Sequence, residues 1–425
     1  MVARTRRAEA GGIAGEGGTP SRGSMEQTST KPVSAARLVP VLALAAFVNM
    51  TGALALGPFL PVVADELGTS VAVVGQVPSL AMLLAAGLGL VIVPLAERFG
   101  YRRTLVLSIV AVASSALGMG LAPSVVPLLL AGLIGAVGRA AVVPTAQAVV
   151  GTRFEDAERR RAVSWIMTGH SGSALVGIPL LTGIAAFANW RIALAALGML
   201  ALAVAVLLRL TPIAGGGQRD GPLRLRGILT SYAPLWTRRS LAAVVVSSFV
   251  GGTGSWVAFT YLGAYFAQRH GYTTTEVGWV YLAVGVGVVL GTRVVGTRLG
   301  AWPRPLLIAA RAAGGVTIGA ALLLPLPAPV SLGLLVLGAM ADLVATTAAA
   351  VLLVAEAPES RATTMTVNQA ALSLGVACGG VLGGLVLTFG EYPALGAVAL
   401  AWLLAAAGLL VWARPRGDGV GGTPA

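Results

Sequence analysis

The stretch Ser331–Glu359, SLGLLVLGAMADLVATTAAAVLLVAEAPE, decides how this chain is read. It is apolar over a length that crosses a hydrocarbon core about 30 Å thick, which takes about 20 helical residues. A single carboxylate, Asp342, stands near its middle. A charged side chain at that depth costs roughly 2.5–3.5 kcal/mol on insertion scales, so it faces a polar cavity, a partner group or a substrate path rather than lipid. The neighbours it meets in the fold decide which.

Outward from this run the rest of the chain has the same character. Of 425 residues 56% are hydrophobic and only 11% charged, with a mean hydropathy of +0.86, far above that of soluble domains. Apolar segments of spanning length lie near 38–60, 71–95, 104–121, 125–150, 162–187, 191–210, 240–266, 276–299, 304–324, 330–355, 362–389 and 393–413, which predicts an all-α membrane protein with twelve transmembrane helices. The only long polar interruption, residues 211–239, is rich in Gly, Pro and Arg and reads as a linker between an N-terminal six-helix half, 37–210, and a C-terminal six-helix half, 240–413. Residues 1–36 are rich in Gly, Ser, Thr, Glu and Arg and are expected to form a disordered tail, with 414–425 as a second tail. Arg4, Arg6 and Arg7 resemble a signal-peptide n-region, but no apolar h-region follows, so no cleaved targeting signal is expected; Met25 offers a second candidate start.

The net charge of +13 would suggest nucleic acid in a soluble protein. Here 25 of the 29 Lys and Arg residues fall on one side of the predicted membrane: in the tails, the linker and the alternate connections. The positive-inside rule then puts both termini in the cytoplasm of a multi-pass protein of the cell membrane, and the basic balance needs no nucleic-acid partner. The lone cysteine, Cys378, builds neither a disulfide framework nor a metal site.

The halves repeat. FVNMTG at Phe47–Gly52 in span 1 recurs as FVGGTG at Phe249–Gly254 in span 7, offset by 202, and the Arg-Phe-Gly of Arg98–Gly100 recurs as the Arg-Leu-Gly of Arg298–Gly300, offset by 200. Two parallel-repeated halves imply a binding site between them near the midplane. In that register Asp342 in span 10 has the depth of Arg139 in span 4, so the two are expected to face a central cavity: Asp342 as a protonatable or cation-binding group, Arg139 as its counter-ion or an anion-binding donor. The alternative for each is a permanent interhelical salt bridge or an Arg snorkelling away from the path. His170 in span 5 titrates near neutral pH when unperturbed and is a further proton-coupling candidate, against the alternative of a satisfied buried histidine.

The connection after span 2, VPLAERFGYRRTL at Val93–Leu105, combines a turn glycine, Gly100, with Glu97, Arg98, Arg102 and Arg103. It resembles the signature loop of the major facilitator superfamily, with Leu95, Arg98, Gly100, Arg102 and Leu105 in place, but with Val93 where a Gly is usual and Glu97 where an Asp is usual. The resemblance implies a gating role for Glu97, Arg98, Gly100 and Arg102, and a twelve-helix fold of two pseudo-symmetric halves. In span 5, GHSGSALVGIPL at Gly169–Leu180 is similar to the helix-5 motif of the family's drug:proton antiporters, among the arabinose-efflux-permease and chloramphenicol-resistance-like exporters, and is followed by Asn189, Trp190 and Arg191 at the usual entry to helix 6. Gly169, Gly172, Gly177 and Pro179 are the packing residues this implies. The family fold also implies that spans 1 and 7 line the cavity, which makes Asn49, Thr51, Thr253, Ser255 and Trp256 candidate substrate contacts. Asn368 and Gln369 follow a connection, Pro358–Arg361, that resembles the family's helix 10 to 11 loop, which points to gating. The arginine usual in helix 4 of these exporters is absent: Gly132 holds its place, and Arg139 lies seven residues later on nearly the same face, about 10 Å deeper.

No metalloprotease helix motif, paired intramembrane carboxylates or Gly-rich nucleotide loop occurs, so neither an enzyme nor an ATP-driven pump is expected, nor any metal or cofactor. The expectation is a monomeric exporter in the lipid bilayer that exchanges a small-molecule substrate, an organic solute or drug, for protons by alternating access. A proton-coupled or facilitative sugar or metabolite transporter is the nearest alternative; a polytopic enzyme or sensor lies further off.

Overall fold

The computed structural model describes residues 35–213, 238–295, 302–357 and 361–413. The expected tails, most of the linker and the Arg298–Gly300 repeat lie outside the described residues. The described chain is helical, and twelve helices are long and apolar enough to cross a membrane: Leu38–Glu66, Val71–Gly89, Tyr101–Leu121, Val125–Arg153, Glu158–Phe187, Trp190–Leu210, Arg239–His270, Thr274–Val295, Pro303–Leu323, Ala328–Glu356, Thr364–Phe389 and Tyr392–Trp412. They are spans 1 to 12 below. Span 1 begins and span 12 ends at the same end of the bundle, the terminus end; the other is the far end.

Packing within the two halves matches pair for pair. Spans 3 and 4, 3 and 6, 1 and 5, and 2 and 4 pack together in the first half, as do 9 and 10, 9 and 12, 7 and 11, and 8 and 10 in the second. The halves meet where span 2 packs on span 11 and span 5 on span 8. This twofold correspondence is the architecture that the repeat in the sequence implies.

Interruptions in the helices also correspond. Span 1 runs as a helix over Ala35–Leu54, makes a tight 3-10 turn at Gly57–Phe59, and resumes over Leu60–Glu66. Pro58 and Pro61 remove two amide donors there, and each is tolerated because it opens a new helical segment. Span 7 is interrupted at the matching place, between Phe259 and Leu262, and ends at Gly271, whose left-handed φ of 71° lets it and Tyr272 donate back to Ala267 and Phe266. In span 5 a π-helical turn, Ser173–Gly177, precedes Pro179, and the Ile178 amide bonds Ser173 O five residues back. The helix of span 2 continues to Phe99, and Gly100 makes the whole connection from it to span 3: its φ of 93° turns the chain, and Tyr101 already begins the next helix.

Each half is tied at one end by a polar cluster. At the far end of the first, Glu66 accepts from Trp190 Nε1 at 2.5 Å and Arg191 Nε at 2.8 Å, while Arg191 also donates to the carbonyls of Gly120 and Ala122 and stacks on Trp190. This joins the ends of spans 1, 3 and 6. At the terminus end of the second half, Arg304 and Glu356 form an ion pair at 3.3 Å, with Ser240 bonded to both, and Arg239 lies 3.6 Å over the Trp412 ring.

Candidate functional site

The halves close on each other at the far end through small residues. Tyr261, at the interruption of span 7, is fully buried and donates to Gly380 O at 3.0 Å; its ring lies so close to Gly75 and Gly384 that a Cβ on either would meet it at 2.3 and 2.6 Å. Gly263 packs on the backbone of Gly57 and Pro58, Gly278 on Thr182, and Gly380 on Ser79. Gln76 reaches across to Val381 O at 3.5 Å. Each of these contacts joins one half to the other, or lines the seam between them, and all but that of Gln76 need a residue with no side chain.

Beneath this seam lies a narrow central cavity of about 50 Å³. Span 1 gives it Met50, Ala53 and Leu54, span 2 Ser79 and Met82, span 7 Trp256, Phe259 and Thr260, and span 8 Tyr281. Arg139 supplies the one charge among its lining residues. The same arginine also borders a smaller void of about 10 Å³ inside the first half, between Asn49, Ser115 and Gly135.

The hydrogen bonds of Arg139 are long: Nη1 to Gly132 O at 3.4 Å and Nη2 to Gly52 O at 3.5 Å. A guanidinium has five donors in a rigid fork, and two contacts at the edge of hydrogen-bond length leave it poorly satisfied. Gly135 keeps the space beside it open, since a Cβ there would stand 3.3 Å from its Nη1. Beside it, buried Asn49 holds an Oδ1 with no partner, 3.0 Å from where a Cβ on Gly138 would be.

Asp342 has a different counter-ion from the expected one. Its Oδ1 accepts from Arg311 Nη1 of span 9 at 3.1 Å and from Ser255 Oγ of span 7 at 2.7 Å, so the ionic partner is Arg311 and not Arg139. The repeat register equates depth, but spans 4 and 10 belong to different halves, whereas spans 9 and 10 pack side by side. Arg311 is the functional candidate that the sequence reading passed over. Its side chain is wholly buried, lies against Gly251 where no side chain would fit, and keeps Nε and Nη2 without partners. Asp342 retains 20% of its side-chain exposure. A buried cation satisfied on one nitrogen only, beside a carboxylate that is only partly buried, depends on that carboxylate's charge.

The remaining candidates fall into three groups. Trp256 lines the cavity, and Asn49 lines the smaller void with Arg139. Ser255 is buried and serves Asp342; Thr51 and Thr253 are buried and bond the carbonyls of Phe47 and Phe249 in their own helices, so these three are helix-packing and support groups rather than cavity lining. His170 lies below the π-turn with a buried Nδ1 that has no partner. At the terminus end, Arg98 and Arg102 are exposed beside Gly100, and Glu97 is half-buried. Asn368 is buried with an unpartnered Oδ1, while Gln369 is exposed. In span 5, Gly169 lies on the backbone of Ala43 and Gly177 on Thr51, with Cβ positions 2.2 and 2.4 Å from them, whereas Gly172 has 3.8 Å of room.

Comparison with known proteins adds the lineage. The family profile of the Major Facilitator Superfamily matches residues 42–353. Curated relatives include the uncharacterized MFS-type transporter YceJ of Bacillus subtilis, 23% identical over 60% of this chain and 64% of its own length. Another is a chloramphenicol efflux pump of Mycobacterium tuberculosis, 28% identical over 66% of this chain and 68% of its own length. The matches thus span about two thirds of those relatives. Among solved structures, the nucleoside transporter NupG superposes with a TM-score of 0.73 over 89% of this chain and 100% of its own, at 12% identity. A bacterial homolog of the human lysosomal transporter Spinster, inward-facing and unoccupied, superposes with a TM-score of 0.66 over 89% and 95%, at 18% identity.

Proposed function

The chain belongs to the major facilitator superfamily, and from that premise we propose that it exports a small organic solute or drug across the cell membrane in exchange for protons. The observation that carries the proposal is Asp342: a carboxylate at mid-span, accessible over a fifth of its side chain, whose charge holds Arg311 of span 9 and the hydroxyl of Ser255 in span 7. Ionised Asp342 balances the buried guanidinium. A proton arriving on Asp342 removes that balance and leaves Arg311 with one weakened hydrogen bond, which favours a rearrangement of spans 7, 9 and 10. The proton is thereby coupled to the packing of the second half.

Alternating access supplies the transport step. Closure at the far end, above a central cavity, is one of the two states that rocking of the halves requires. With both termini in the cytoplasm, as the charge distribution implies, the far end is the outer face and the closed seam makes this the state loaded from inside. Largely apolar walls, with Met50, Leu54, Met82, Trp256 and Phe259, suit an amphiphilic solute better than a sugar, whose hydroxyls would lack partners there. The relative with an efflux activity supports the direction and makes chloramphenicol a first probe.

The test is uptake of labelled chloramphenicol into everted membrane vesicles. An inside-acid gradient should drive accumulation, an uncoupler should release it, and Asp342→Asn should abolish it while the protein remains inserted and monodisperse. Undiminished gradient-driven accumulation in Asp342→Asn would remove the coupling role.

A further inference from the structure

We propose that Arg139 is the substrate-anion site of the central cavity, and that the solutes this protein binds best are compact aromatic molecules ending in a carboxylate or a comparable anionic group. The inference deepens the transport reading and rests on it. Asp342 is already balanced by Arg311, so it leaves Arg139 uncompensated. The lining residues of the two voids that Arg139 borders include no carboxylate. A guanidinium at mid-membrane depth, held by two contacts of 3.4 and 3.5 Å to backbone carbonyls, has donors to spare. In surroundings this apolar it gains more from a counter-charge than it would in water.

The rest of the wall defines the other end of the ligand. Trp256, Phe259 and Tyr281 stand with Met50, Met82 and Leu54 around the same narrow space, so the flexible Met and Leu side chains would move aside to let a flat aromatic body stack on the rings while Arg139 takes its polar end. Cations are disfavoured for the same reason: a positively charged solute would meet the unbalanced arginine with no carboxylate on the cavity wall to receive it. A neutral solute with strong acceptor groups falls between the two. Glycine at 135 keeps the side of the fork open, so Arg139 has room to swing from its long carbonyl contacts toward a ligand.

The experiment is calorimetric titration of the full-length, detergent-purified protein with three probes of matched size: 1-naphthoate, 1-naphthamide and 1-naphthylmethylammonium. Naphthoate should bind tightest, with an advantage over the amide on the order of ten-fold or more, as for a hydrogen bond gained to a charged group, and the ammonium should bind weakest. Arg139→Gln should erase the advantage of naphthoate over naphthamide, and Arg139→Lys should restore part of it through charge without the fork. Trp256→Ala should weaken all three probes alike and keep their order. The proposal is overturned if the ammonium binds as well as naphthoate, if the anion preference survives Arg139→Gln, or if naphthoate shows no binding to the wild-type protein. No gradient enters this measurement, so its failure is separate from failure of proton exchange: a protein that accumulates solute on an acid gradient yet prefers the cation would overturn only the anion site.

Discussion

At the scale of single residues, the decisive feature is one buried cation with two unpartnered nitrogens beside one partly exposed carboxylate. Arg311→Met should lower stability by about 3–5 kcal/mol, the usual cost of breaking a buried pair from one side. Adding Asp342→Asn to it should recover most of the loss, and thermal unfolding of the purified variants reads both. Equal losses in the single and double variants would mean that Arg311 acts by packing alone. Asp342 was legible in the sequence because a carboxylate in an apolar run stands out whatever its neighbours. Its partner was not, because a repeat register compares depth between halves and says nothing of which helices touch. The adjacent span did hold the signal: Arg311 lies twelve residues before the far end of its helix at Leu323, and Asp342 fourteen after the start of the next at Ala328. Antiparallel neighbours at matching depth are the pairs to try first.

At the scale of elements, span 5 shows what a motif does and does not specify. Its four singled-out residues are unequal in the structure. Gly169→Ala would drive a Cβ to within 2.2 Å of the Ala43 carbonyl oxygen, a backbone atom that yields only if spans 1 and 5 part. We expect that variant to lose about 1–3 kcal/mol, the ordinary cost of overpacking. Gly172→Ala has 3.8 Å of clearance and should be neutral or stabilised by up to about 1 kcal/mol through helix propensity. Comparison of their unfolding temperatures separates close packing from mere motif membership. The π-turn that follows them, Ser173–Gly177, was not legible, since Pro179 predicts a missing bond but not how the helix absorbs it. Gly100 was legible, because a helix-to-helix turn of one residue demands a φ open to glycine; Gly100→Ala should cost about 1–3 kcal/mol of backbone strain, read in the same assay.

At the scale of the whole molecule, the apolar segment lengths, the polar linker and the internal repeat were enough to foresee twelve spans and two halves, because the bilayer forces every backbone group into a helix. Which end is closed could not be foreseen, since it depends on side chains meeting across halves that are distant in sequence. Gly263→Ala tests the closure: its Cβ would stand 2.7 Å from Gly57 O across the seam. A penalty of about 1–3 kcal/mol on the closed form moves the open-to-closed ratio by roughly one to two orders of magnitude. Spin labels at the exposed positions Asp65 and Thr275, on opposite halves at the far end, should then report a longer distance. An unchanged distance distribution would show that this seam does not set the equilibrium.

The far-end ion pair, Glu66 with Arg191, lies within one half, and what faces across the seam is glycine against tyrosine, threonine and backbone. Ionic strength has little to screen in such a joint. If this end opens, the change is one of volume more than of charge, so hydrostatic pressure and the lateral squeeze of the acyl chains, rather than the saltiness of the medium, are expected to set how often it does so.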